Sequence, residues 1–234
     1  MNSYRQKKPW HDLGGEKSGP VRPDQTDEPV FEKSWHKRVL GLTVAAGAMG
    51  VWSIDSSRFW RERLPKSDYQ TFTYYEKWLA ALTNLFVFKG LVTEEEVLKR
   101  NFDGPKQLLD SRVLRASEVP RMLASGSKTS RKSKQTPRFS IGDPVRTKKQ
   151  KETLLRPFGH TRLPCYAADK FGTILFCHGN HVLPNSNAHF LGELPEPLYS
   201  VEFMATDLWS EDNLGLEDTV IVDCWESYLL SAND

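Results

Sequence analysis

Three cysteines in 234 residues are too few, and odd in number, for a disulfide framework. Cys165, Cys177 and Cys224 are widely spaced, which fits free thiols in a reducing compartment. No apolar run reaches the roughly 20 residues that a membrane-spanning helix needs. The start, MNSYRQKKPW, is basic but lacks the apolar stretch of a signal peptide. A formal net charge of +2 argues neither for nor against nucleic acid. The chain has no glycine-rich phosphate loop and no nucleophile in an elbow-type motif. These absences predict a soluble, cytoplasmic chain with no membrane and no nucleic-acid partner.

What is present divides along the chain. Hydrophobic residues make up 38% and charged residues 26%, enough for one large or two small domains. Residues 1–30 hold Pro9, Gly14, Gly15, Gly19, Pro20, Pro23 and Pro29 but few large aliphatics, so they cannot form a core of their own. HDLGG, at 11–15, mixes polar groups with glycines that permit close approach, which predicts an arm laid along a partner. From Val30 the pattern turns helical. Phe31, Trp35, Val39 and Leu42 recur at steps of four and three. Ser53 and Asp55 are both candidate N-caps for a second helix that ends at Leu64-Pro65. SDYQTFTYYEKWLAALTNLFVFKG reads as one helix closed by Lys89 and Gly90. Thr93 and Glu96 stand at capping-box spacing.

ASGSKTSRKSKQTPR is small, polar and basic, the composition of a solvated linker. It lacks the interleaved aromatics of a nucleic-acid patch. RFSIGDPVRTK, FGTILFCHG, LYSVEFMA and TVIVDCW then alternate apolar and polar residues between turn signals. The predicted fold class is α+β. It has an extended partner-binding arm over 1–30, a helical domain over 31–103, a basic flexible linker over 104–137 and an SH3-like β-barrel over 138–234. Such a barrel is a common binding module as well as an enzyme part, so the fold alone decides nothing about activity.

Motifs with chemistry are sparse. His160, His178, His181 and His189 fall in the β half. His178 and His181 suggest a metal, but no carboxylate or cysteine completes a ligand spacing, and Cys177 must point to the opposite strand face from His178. No metal site is predicted in this chain. FGHTRLPCY, at 158–166, packs Gly-His and Arg-Leu-Pro too closely for a core strand, since Pro belongs at edges and strand starts. On residue chemistry alone, Arg162 in this stretch is a solvated arginine. Arg58 pairs with Glu62 one turn on, and Tyr74 and Trp78, sharing a helix face, are core aromatics.

Taken together, HDLGG with GPV, DEPVFEKSWHKRVLGL, DYQTFTYYEKWLAAL, RFSIGDPVR, GHTRLPCY, GTILFCHGNHVLP, LYSVEFMATDLW and VDCWESYL resemble, in order and spacing, the beta subunit of nitrile hydratase. The resemblance covers nearly the whole chain. It implies a lyase that adds water to a nitrile to give an amide. The ion is iron(III) or cobalt(III), non-haem or non-corrin, held by a cysteine-rich loop of an alpha subunit whose cysteines are partly oxidised. This chain has no such loop. The implied assembly is a heterodimer with the alpha subunit, or its doubled heterotetramer, and the isolated chain is expected to be inactive.

The resemblance also implies a site. Arg58, from DSSRFW, and Arg162, from GHTR, correspond to arginines that hydrogen-bond the oxidised cysteine ligands. An arginine is apt there because it is always charged and can give two parallel hydrogen bonds. Tyr74 and Trp78 correspond to cavity residues, and Ile54 adds an apolar wall for a small nitrile. There are departures. Cys165 replaces a more usual polar residue, and Thr43 and Ser57 are smaller than the bulky residues common near the cavity. Thiocyanate hydrolase, whose subunits resemble split halves of this chain, is the related alternative. A non-catalytic binding or maturation module of the same lineage is the other.

Overall fold

The structure is a computed structural model and describes residues 9–15, 19–20, 23, 29–101, 113–209 and 217–232. Much of the arm expected over 1–30, and residues 104–112 of the expected linker, lie outside the described residues. The chain divides into two compact units, one of residues 18–127 and one combining 1–17 with 128–234. Each is described on its own.

The helical unit opens with α1 (Ser34–Ala48), α2 (Ile54–Glu62), α3 (Lys66–Thr71), α4 (Tyr74–Phe88) and α5 (Glu94–Lys99). Local chemistry sets these ends. Ser53 caps α2, its hydroxyl accepting the Ser56 N–H at 3.1 Å. Thr93 and Glu96 form the expected capping box. The single helix expected over 67–90 is broken after Thr71. Thr73 begins a second capping box with Glu76, whose carboxylate accepts the Thr73 N–H at 2.7 Å, and that competing bond restarts the helix. Ala46, Trp52, Leu82 and Leu85 form the buried centre of this unit. Beyond a short 3-10 turn at Ala116–Glu118, α6 (Val119–Ser125) forms inside the stretch expected to be linker.

The second unit carries β1 (Pro144–Thr147), α7 (Gln150–Thr153), β2 (Phe171–His181), α8 (Pro184–Asn187), β3 (Glu196–Met204), α9 (Ala205–Leu208), β4 (Thr219–Trp225) and β5 (Leu229–Ser231). The strands form one antiparallel sheet in the order β4-β3-β2-β1-β5. Its inner face buries Val145, Ile174, Tyr199, Val201, Phe203 and Cys224. The SH3-like barrel expected from the sequence is corrected here. Among the described residues the sheet is open, with β4 and β5 as its edges. It is nevertheless curled. Only the 3-10 turn Glu226–Tyr228 separates β4 from β5, and four Cα steps reach at most about 15 Å. Edge strands of a flat five-stranded sheet stand roughly 19 Å apart. With three residues, β5 offers too short a ladder to complete a ring.

Part of the stretch expected as linker is ordered against this sheet. Ser130 bridges His181, and the Arg131 guanidinium gives two hydrogen bonds to Glu193 at 2.6 and 2.7 Å. That pairing lowers the Glu193 pKa. Buried Glu226 accepts hydrogen bonds from the Tyr199 hydroxyl at 2.7 Å and the Arg138 N–H at 2.8 Å, tying the chain just before β1 to the turn between β4 and β5.

Gly172 on β2 stands where the sheet admits no side chain. A Cβ there would lie 2.6 Å from the Glu202 carbonyl oxygen and 2.8 Å from Val201 Cγ1. Gly172→Ala is expected to lower unfolding stability by about 1–3 kcal/mol. Urea denaturation of the purified chain checks this, and an unchanged midpoint refutes it.

Candidate functional site

In the helical unit, the residues singled out by sequence lie on α2 and α4, which pack against each other. Asp55, in the first turn of α2, is buried and favoured there by the helix dipole. Its Oδ1 accepts a hydrogen bond from Arg58 Nη1 at 2.9 Å. The partner of Arg58 is therefore Asp55 and not Glu62, the i,i+4 alternative. One edge of the guanidinium is anchored while its side chain stays 38% exposed. Ile54, the first residue of α2, is exposed, as is Tyr74, the first residue of α4. Trp78 stands one turn after Tyr74, with ring centroids 5.3 Å apart. Tyr75 stacks on buried His36 of α1 at 4.6 Å, which fixes the start of α4. A cavity of about 10 Å³, bounded by Thr43, Ser57, Arg61, Trp78 and Ala81 among others, has room for one water.

The other unit holds Arg162, and its surroundings explain the odd composition of GHTR. A Cβ on Gly159 would lie 2.9 Å from the Arg156 carbonyl oxygen and 3.2 Å from His189 Nε2, so the close turn needs glycine. His160 is fully buried, and its N–H donates to His189 Nε2 at 3.1 Å. Thr161 Oγ1 lies 2.8 Å from Thr153 Oγ1 and accepts the Leu163 N–H. The Arg162 N–H donates to the Tyr228 hydroxyl at 3.2 Å. Tyr228 in turn donates to Asn185 Oδ1, and Asn185 Nδ2 donates to the Thr153 carbonyl at 2.7 Å. His160 and Leu163 face inward while Arg162 is exposed. Among the described residues its guanidinium meets no hydrogen-bond partner. The backbone is immobilised and the cationic head is left available.

HDLGG docks beside this loop on its own chain. Asp12 Oδ2 accepts the Cys165 N–H at 2.7 Å and a Gln150 Nε2 hydrogen at 3.2 Å. Trp209 Nε1 donates to the Gly15 carbonyl at 2.8 Å. Gly15, at φ +72, packs so closely on Tyr166 that a Cβ would stand 2.6 Å from its Cβ. The glycines serve an intrachain contact that spacing alone did not reveal.

Among the described residues, no three His, Cys, Asp or Glu side chains converge as a metal ion would require. His178 Nε2 lies 2.8 Å from Ser200 Oγ, and His181 Nδ1 lies 3.0 Å from Thr129 Oγ1. Cys224 is buried, which pushes its thiol pKa up to about 12, whereas a metal ligand needs the thiolate. The described residues therefore do not fit a resident iron or cobalt ion.

Two family models together match residues 8–231. They are nitrile hydratase beta subunit, N-terminal, over residues 8–129, and nitrile hydratase beta subunit, C-terminal, over residues 128–231. The chain belongs to the nitrile hydratase beta-subunit family. It is 34% identical to the nitrile hydratase subunit beta of Pseudomonas putida, covering 94% of this chain and 97% of that one. It is 32% identical to the low-molecular weight cobalt-containing nitrile hydratase subunit beta of Rhodococcus rhodochrous, covering 95% and 98%. A solved chain of the thiocyanate hydrolase of Thiobacillus thioparus is 30% identical, covering 42% of this chain and 78% of that one, with a TM-score of 0.37. A nitrile hydratase beta subunit implies a partner subunit.

Arg61 and Asp55 were missed by the sequence reading. Asp55 was read only as a cap, although its spacing to Arg58, i,i+3, was available. Arg61 carried no motif.

Tyr228→Phe removes the hydroxyl that holds the Arg162 N–H and leaves buried Asn185 short of a donor. The expected cost is about 1–3 kcal/mol, with faster hydrogen exchange at the Arg162 amide. Denaturant melts and exchange mass spectrometry read both, and unchanged exchange at Arg162 counts against the assignment.

Proposed function

We propose that this chain is the beta subunit of a cytoplasmic nitrile hydratase, a hetero-oligomeric lyase that hydrates nitriles to amides. It acts with an alpha subunit, as a heterodimer or heterotetramer, and the iron(III) or cobalt(III) ion is held by that subunit. When bound there, the ion supplies the Lewis acidity that activates the nitrile toward water. This chain supplies hydrogen-bond donors and a wall. Arg58 and Arg162 donate to the oxygens of the partner's oxidised cysteine ligands, and Tyr74, Trp78 and Ile54 line the substrate cavity.

The observation that carries the reading is the family match over both halves of the chain. Physical features support it. Oxidised cysteine oxygens in a water-poor cavity need donors, or their charge is costly. Arg162 offers such donors from a fixed backbone, and Arg58 offers those its bond to Asp55 leaves over. Exposed Ile54 and Tyr74 suit contact with an apolar substrate or a covering subunit. The cysteines carry unbridged thiols among the described residues, which suits a reducing compartment.

The test is co-expression with an alpha subunit carrying the cysteine loop, followed by metal analysis and a nitrile-to-amide assay. The isolated chain is expected to hold no stoichiometric iron or cobalt and to hydrate nothing. Within the complex, Arg162→Lys keeps the charge but loses the planar pair of donors. It is expected to assemble and load metal, yet lose about a hundredfold to a thousandfold in turnover, the scale of removing one oxyanion donor. Arg58→Lys should behave alike. Near-normal turnover in a metal-loaded Arg162→Lys complex would make GHTR a structural turn only.

A further inference from the structure

Arg61 is the least explained cation of the helical unit. Its guanidinium carbon stands 4.6 Å from the centroid of the Trp78 ring, in the range of a cation–π contact. It borders the small cavity with Thr43, Ser57 and Ala81. The residue is half-buried, and desolvation is the main cause that lowers its pKa. An arginine nevertheless keeps its charge in proteins. Arg58, one turn earlier on α2, has Asp55. None of the ion pairs among the described residues takes up Arg61. Tyr74 and Glu62 oppose the burial effect only through space.

An apolar pocket for a hydrocarbon nitrile has no use for such a group. The nitrile's one strong acceptor is its nitrogen, and withdrawing a guanidinium from water costs free energy unless an acceptor offsets it. The rest of the cavity lining is Thr43, Ser57, Trp78, Ala81, Leu82 and Leu85, none of which carries a charge to match the guanidinium. The cavity holds no more than a water. A larger acceptor therefore reaches the fork from the side on which the half-buried Arg61 stays open, and not through this cavity.

We infer that Arg61 is a specificity-determining residue that gives the pocket beside Trp78 a cationic wall, selecting nitriles that carry a carboxylate or similar acceptor group. The inference rests on the nitrile-hydrating reading above. A carboxylate matches the planar fork with two parallel hydrogen bonds. The hydrocarbon between it and the nitrile lies along the Tyr74 and Trp78 rings. Trp78 has a second part here, since its ring face steadies the cation.

The experiment uses the metal-loaded complex with an alpha subunit and two substrates of matched shape. One is the cyanobutanoate anion with nitrile and carboxylate at opposite ends. The other is the neutral nitrile in which an isopropyl group replaces the carboxylate. The native complex is expected to favour the anion about tenfold in kcat/KM, equivalent to about 1.4 kcal/mol, and the preference should shrink as salt rises. Arg61→Met should abolish the preference, mainly through KM, and leave the neutral nitrile within about twofold of native. Arg61→Lys should keep part of it. A native complex that favours the neutral nitrile, or an Arg61→Met complex that slows both substrates equally, overturns the inference alone. If neither substrate is hydrated by the native complex, the nitrile-hydrating reading falls with it. Should Arg61→Met fail to assemble, Arg61→Gln decides: loss of the anion preference with the neutral nitrile unchanged is expected, and an undiminished preference overturns the inference.

Discussion

The phenol of Tyr228 is the joint on which the Arg162 loop depends. It is fully buried, and burial is the main cause that raises its pKa, so it stays a protonated donor. One oxygen accepts the Arg162 N–H and donates to Asn185, which reaches on to the Thr153 carbonyl. Three chain segments distant in sequence are thereby held by one buried chain of hydrogen bonds. Such chains are costly to leave half made. That cost gives the loop a single conformation, and the exposed arginine inherits it. A cation on a mobile loop would lose entropy each time it bound. Here most of that ordering is already done by folding.

The helical unit reaches a comparable result by different means. An exposed ion pair contributes little, about 0–1 kcal/mol. Asp55, though, is buried, so its bond to Arg58 satisfies a carboxylate that would otherwise be costly. Arg61 is steadied by the face of an indole. Trp78 is positioned in turn by α4, whose start is fixed by the Thr73–Glu76 box and by Tyr75 on His36. The placement of these side chains depends on one capping threonine and one stacked aromatic pair.

Signals carried by neighbouring residues were legible in the sequence. Ser53, Thr93 and Glu96 act as caps because capping needs only a side-chain oxygen and a nearby N–H. Cys177 packs toward the core while His178 meets Ser200, as strand alternation demands. The family words in the sequence led to the right family. The break after Thr71 was missed because Thr73 is too weak a signal inside a strongly helical run. The intrachain docking of HDLGG was missed because Asp12 and Cys165 are separated by 153 residues, and no periodicity reports on such a pair. Arg131 reads as linker by composition, yet Glu193 fixes it from 62 residues away. An SH3-like barrel is the expectation from strand count and spacing, which are local, whereas closure depends on how long the last strand is.

The surface features have a common direction. Arg162 offers a fork without a partner among the described residues, Arg58 uses one edge of its own, and Arg61 has only an aromatic face. Leu42, Ile54, Tyr74 and Phe88 each leave more than half of their surface exposed on the helical unit. Single exposed apolar side chains are ordinary on a surface, so the weight rests on Arg61 and Arg162, which no carboxylate takes up among the described residues. Folding satisfies the backbones of these segments and leaves their side chains unfinished. That division suits a subunit that meets another chain, and membership of a beta-subunit family implies a partner subunit.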